Sequence, residues 1–131
     1  MTEPPTSTIV RVLIVDDHID TRVILRHYFE AKGFAVCEAT NGEEALECLR
    51  AERPHAMVLD IQMPKLDGIG VLRAIRGDEQ LRDLPVLALS AHALVEEVRE
   101  ITRAGADDYI AKPADPRDVM AAVRTLLARG G

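Results

Sequence analysis

Tryptophan is absent from this chain of 131 residues, and its only aromatic rings are two Phe and two Tyr. Proteins that hold single-stranded nucleic acid stack its bases on such rings, and no platform of that kind is available here. An excess of basic charge is missing too. Sixteen Lys and Arg stand against twenty-two Asp and Glu, a formal net charge of −6. That balance argues against direct contact with nucleic acid or with an anionic membrane. Cys37 and Cys48 are the only cysteines, and no Cys-x-x-Cys spacing exists. Neither a disulfide framework nor a zinc site is indicated. Both cysteines read as small buried hydrophobes in a reducing compartment. No apolar run approaches the roughly 18 residues of a membrane helix. Residues 1–8 are polar and contain proline, which fits a disordered leader and no signal peptide. A cytoplasmic protein is the expectation.

What is present is an alternation. Residues 9–15 (IVRVLIV) read as a buried strand ending at Asp16 and Asp17. A helix is predicted over 19–32, with Ile24, Leu25, Tyr28 and Phe29 at helical spacing and Asp17 or Asp20 as its cap. A short strand follows at 34–38, then a helix at 43–52 that Pro54 stops. In residues 56–60 (AMVLD) four apolar residues run straight into an aspartate, which suits a strand buried on both faces. Pro64 forbids that strand from continuing as a central one. A helix over 66–76, a strand over 85–89 running to Ser90, and a helix over 93–104 with Leu94, Val98 and Ile101 inward come next. A strand at 107–111 leads to Lys112 and Pro113. Asp115 and Pro116 open a last helix whose inner face is Val119, Val123, Leu126 and Leu127. Strand and helix alternate five times, which predicts an α/β three-layer sandwich on a five-stranded parallel sheet. One domain over 9–128 with a tail at 129–131 accounts for the chain.

In such a sheet every strand ends at the same edge. Asp16 and Asp17, Asp60, Ser90 and Lys112 therefore gather there. Two carboxylates ~4 Å apart repel by about 4 kcal/mol at an effective dielectric near 20. Three together take up protons or need a cation. Donors that are all oxygen suit a hard ion, and Mg²⁺ fits. Ser90 and Lys112 supply a hydroxyl and an ammonium, which suit phosphoryl oxygens. No Gly-rich nucleotide loop follows the first strand. The site looks built for a small phosphoryl group and a metal, with a carboxylate as nucleophile.

Five motifs carry a family resemblance: Val-Leu-Ile-Val-Asp-Asp (12–17), Leu-Asp-Ile-Gln-Met-Pro (59–64), Leu-Asp-Gly (66–68), Leu-Ser-Ala (89–91) and Asp-Tyr-Ile-Ala-Lys-Pro (108–113). In this order the chain resembles the response-regulator receiver domain of two-component signalling. The resemblance implies a flavodoxin-like strand order 2-1-3-4-5. It implies that Asp60 accepts a phosphoryl group from a phosphohistidine on a histidine kinase or phosphotransfer protein. It implies Mg²⁺ on Asp17, on Asp16 mainly through water, on Asp60 and on the Gln62 backbone carbonyl. Ser90 and Lys112 would bind phosphoryl oxygens, and Ser90 and Tyr109 would switch, changing the face of helix four, strand five and helix five. Gln62 and His92 occupy the positions that tune hydrolysis. The Lys112–Pro113 bond is expected to be cis. His18, His27 and His55 show no ligand constellation.

The same resemblance implies a protein that catalyses its own phosphorylation and dephosphorylation but acts through a downstream protein effector. It would be a monomer or a phosphorylation-dependent dimer, touching neither nucleic acid nor membrane. Ala114 stands where many DNA-binding members carry an aromatic residue, which favours a stand-alone receiver or the receiver of a hybrid kinase. Val95 and Met120 are expected to be exposed near the output face. Two rival readings meet opposing residues. A phosphatase would need an acid two residues after its nucleophile, where Gln62 stands. A degenerate receiver serving as a constitutive binding module would lack Asp17, Asp60 or Lys112, and all three are present.

Overall fold

The computed structural model describes residues 9–63, 67–91 and 94–130. The expected leader, Pro64 and His92 lie outside the described residues. The strands are β1 (Arg11–Val15), β2 (Ala35–Ala39), β3 (Ala56–Asp60), β4 (Val86–Ser90) and β5 (Asp108–Ala111). The helices are α1 (Ile19–Ala31), α2 (Gly42–Ala51), α3 (Gly68–Arg76), α4 (Val95–Ala104) and α5 (Pro116–Gly130). They alternate along the chain, and the strands form one parallel sheet in the order β2-β1-β3-β4-β5.

The sequence dictates this packing through period-two alternation. In β3, Met57 and Leu59 enter one core, with Val71, Leu72 and Ile75 of α3 and Ile101 of α4. Ala56 and Val58 enter the other, with Leu25 and Phe29 of α1 and Val119 and Val123 of α5. All five residues of β3 are buried, as are all five of β4. A central strand with helices on both faces has no solvent side, so both its faces must be apolar.

Local signals set the helix ends. Asn41 caps α2 by accepting from Glu44 N, while Glu44 Oε1 accepts in return from Thr40 N. Asp67 caps α3 by accepting from Gly70 N at 2.9 Å. Gly105 ends α4 with φ of +119°, a backbone that L side chains rarely adopt. The Arg76 side chain closes over it, donating from Nε and Nη2 to the Gly105 carbonyl.

Several expectations change. The N-cap of α1 is His18, without a side-chain cap bond, in place of Asp17 or Asp20. Asp16 instead accepts from His18 N at 2.8 Å, just ahead of the helix. Leu94, expected inward, is 70% exposed because α4 starts only after it. Met120, expected exposed, is buried in the α1–α5 core. Cys37 is exposed on the edge strand β2, while Cys48 is half-buried and packs against the core.

Gly68 has a specific packing reason. Its N–H donates to the Ile61 carbonyl at 3.1 Å, folding the start of α3 back on the end of β3. A Cβ there would lie 2.6 Å from Ile61 Cα and 2.9 Å from the Asp60 carbonyl oxygen. Those atoms are backbone and cannot swing away. Gly68→Ala is expected to cost about 1–3 kcal/mol of stability in urea unfolding. An unchanged midpoint would mean that the two segments part without loss.

Candidate functional site

The strand order reverses between β1 and β3, the position where open parallel sheets leave a crevice at their carboxyl edge. Register brings the acids there. Val15 is opposite Leu59, so Asp16 and Asp60 end neighbouring strands. Both continue the alternation of the α1–α5 face, with Ile14 and Val58. Ser90, opposite in parity to Leu87 and Leu89, continues the α4 face of Val86 and Ala88. Lys112 follows β5, and its N–H donates to the Ser90 carbonyl at 2.8 Å. The Lys112–Pro113 peptide is cis.

Asp16, Asp60 and Ser90 are buried. Lys112 Nζ donates to Asp16 Oδ2 at 2.8 Å and lies 3.2 Å from Asp60 Oδ2. The second contact is an ion pair without hydrogen-bond geometry: Asp60 Oδ2 is a buried oxygen with no hydrogen-bond partner among the described residues. The other oxygen, Oδ1, accepts from Gln62 N at 3.1 Å. Burial, followed by the Asp16 charge, pushes the Asp60 carboxyl up to about 6, while Lys112 and the Gln62 N–H pull the other way. The Lys112 ammonium is held above its ordinary value: desolvation lowers it, but the two carboxylates outweigh that.

The charge distribution leaves room for a cation. Asp16, Asp17, His18 and Asp60 each place one ligand atom within 4.8 Å of the others. The carboxylates are hard donors, and one of their oxygens is buried without a hydrogen bond from the described residues, so this set fits Mg²⁺. His18 corrects the expectation that it belongs to no ligand constellation. Its Nδ1 lies 3.1 Å from Asp16 Oδ1 and 3.2 Å from Asp17 Oδ1. The ring is largely exposed and able to swing out.

The structure brings together Asp16, Asp17, Asp60, Gln62, Ser90 and Lys112. Tyr109 is not part of that cluster. It pairs in register with Ala88 and packs, half-buried, against the core beneath α4. One residue of the site escaped sequence reasoning altogether. Glu97, in the first turn of α4, receives hydrogen bonds from the Ser90 hydroxyl and from Gln62 Nε2. Its only sequence signal was a carboxylate at a helix start, which the helix dipole already explains.

Known proteins share this arrangement. Residues 12–124 match the family model of the response regulator receiver domain. The chain is 43% identical over 120 residues to the response regulator MprA of Mycobacterium tuberculosis, covering 92% of this chain and 51% of that protein. It is 43% identical over 121 residues to the transcriptional regulatory protein PrrA of Mycobacterium bovis, again covering 92% and 51%. The chain thus spans about half the length of the curated relatives it matches. Among solved structures, the receiver domain of the sensor histidine kinase PA1611 from Pseudomonas aeruginosa superposes with a TM-score of 0.85 at 26% identity, covering 92% of this chain and 99% of that one. That receiver holds a magnesium ion in its active-site cleft. The chain therefore belongs to the response regulator receiver domain family of two-component signalling.

Proposed function

We propose that this receiver is a phosphorylation-dependent switch whose phosphoacceptor is Asp60. The supporting observation is the buried Asp60 Oδ2, which has no hydrogen-bond partner among the described residues and lies 3.2 Å from an ammonium. Such an oxygen keeps a lone pair available for attack. Oδ2 attacks the phosphorus of a phosphohistidine, an O–P bond forms, the P–N bond breaks, and the imidazole keeps the electron pair and takes a proton from water. Lys112 and Ser90 bind the transferred oxygens, and the Gln62 N–H steadies Oδ1. Mg²⁺ would be held by Asp17, Asp60, the Gln62 carbonyl and Asp16, and would supply charge neutralisation between two anions. Alignment and charge are most of what this transfer needs. Gln62 and His92 are proposed to set hydrolysis, and Tyr109 to follow Ser90 inward, altering the α4–β5–α5 face.

The donor is a histidine kinase or a phosphotransfer protein. A groove of about 530 Å³ beside the site, with Ile24, Leu25, Pro113 and Ala114 among its lining, offers it an apolar seat. The cell's interior is the proposed location. Among the described residues no helix is long and apolar enough to cross a membrane. Incubation with Mg²⁺ and acetyl phosphate, followed by intact mass, is expected to show one phosphoryl gain that disappears in Asp60→Asn. No gain in the wild type, with a phosphohistidine donor also tried, would overturn the assignment.

The output has two settings. A stand-alone or hybrid-kinase receiver acts on a protein effector, which Ala114 favours. Kinship with a transcriptional regulatory protein favours a receiver that controls a DNA-binding segment without touching DNA itself, consistent with a net charge of −6. Immunoblotting of the native protein separates them: a band near 14.4 kDa supports the stand-alone receiver, one about twice as large the regulator with a DNA-binding segment, and a much larger one the hybrid kinase.

A further inference from the structure

Gln62, Ser90 and Glu97 meet above the acceptor. Gln62 Oε1 accepts from Ala91 N at 2.9 Å. Gln62 Nε2 donates to Ser90 Oγ at 3.2 Å and to Glu97 Oε1 at 2.8 Å. The Ser90 hydroxyl donates to that same Glu97 oxygen. One carboxylate oxygen on α4 therefore gathers the loop after β3 and the last residue of β4.

Ser90 is fully buried, and a hydrogen bond to a carboxylate is stronger than one between neutral groups. A phosphoryl group on Asp60 would present the same hydroxyl with another anionic oxygen. A hydroxyl has one proton to donate, so the two acceptors compete for it. We propose that Glu97 is a positioning residue: it stands in for the phosphoryl oxygen, holding Ser90 and Gln62 in the unphosphorylated arrangement. This rests on Asp60 being the phosphoacceptor. Phosphorylation then removes one of the hydrogen bonds by which Glu97 ties the first turn of α4 to the site, which favours the turn's detachment. That turn and its cap carry Val95 and Leu94, 66% and 70% exposed. By linkage, a partner that binds the detached turn raises phosphoryl affinity by the same factor that phosphorylation raises affinity for the partner.

The test uses beryllofluoride with Mg²⁺ as the phosphoryl mimic, together with hydrogen exchange on the unmodified protein. Glu97→Ala is expected to bind the mimic about tenfold more tightly, the worth of one charge-assisted hydrogen bond. The Ala91 amide and those of residues 95–98 should exchange faster. Glu97→Gln keeps the shape and an acceptor but not the charge, and should fall between. In a Ser90→Ala background the gain from Glu97→Ala should largely vanish, because the contested donor is gone. A wild-type affinity in both Glu97 variants overturns the proposal, as does a full gain in the Ser90→Ala background. A wild type that neither binds the mimic nor takes phosphoryl overturns the phosphoacceptor assignment itself. A wild type that does, with Glu97 variants unchanged, overturns only the role of Glu97.

Discussion

Asp60→Asn is expected to make the metal-free protein more stable at pH 7.5 while leaving its stability near pH 4 unchanged. The Asp60 carboxyl is pushed up to about 6, chiefly by burial. In the unfolded chain it returns to its ordinary value of 3.8. Between those values the folded protein holds a proton that the unfolded chain has released. The stabilising contribution is therefore complete below pH 3.8 and is lost as pH rises through about 6. At roughly 1.36 kcal/mol per pKa unit the loss above pH 6 is of the order of 3 kcal/mol. Asparagine never ionises, so it avoids that loss. Urea unfolding of both proteins across pH 4–8 measures the difference, and two parallel curves would refute the argument. Mg²⁺ should raise the wild-type melting temperature and do much less for Asp60→Asn, since a ligand stabilises by its affinity for the folded state.

Lys112→Met should act in the opposite direction. Lys112 is the cation within 3.2 Å of both buried carboxylates, Asp16 and Asp60. Removing it leaves two buried acids side by side, a change that costs on the order of 3–5 kcal/mol when one member of a buried ion pair is deleted. Lys112 is one of the groups holding the Asp60 carboxyl down, so without it Asp60 takes up a proton at still higher pH. The deficit should be largest near pH 8 and smaller at pH 5. Combining Lys112→Met with Asp60→Asn should return much of the stability, because one of the two repelling charges is gone. Urea midpoints at the two pH values decide it. An equal deficit at both, with no recovery in the double variant, would mean that Lys112 contributes packing and not charge.

The sheet and its acidic edge were legible because their causes are local. Residues 56–60 form an apolar run too short for a helix and end in an acid, and the structure buries all five. The gathering of Asp16, Asp60, Ser90 and Lys112 followed from alternation alone, since parallel strands must share one carboxyl edge. Other features depend on coverage by distant elements. Met120 reads as a surface residue until α1 lies over α5. Cys37 reads as buried until β2 proves to be the edge strand. His18 reads as an isolated loop histidine until the turn after β1 brings it beside two acids.

By itself the sequence determined the five βα units, the burial of the central strands on both faces and the type of group at each strand end. Those follow from hydrophobic period and turn residues, which act over a few neighbouring positions. Only the tertiary structure decided which groups meet. Lys112 is hydrogen-bonded to Asp16, 96 residues away, and only ion-paired with Asp60, which leaves Oδ2 without a hydrogen bond among the described residues. Glu97 reaches Gln62 across 35 residues because α4 begins beside the end of β4. Contacts of that kind depend on strand order, strand register and the path of each connecting loop, and none of these is written in the period of a single segment.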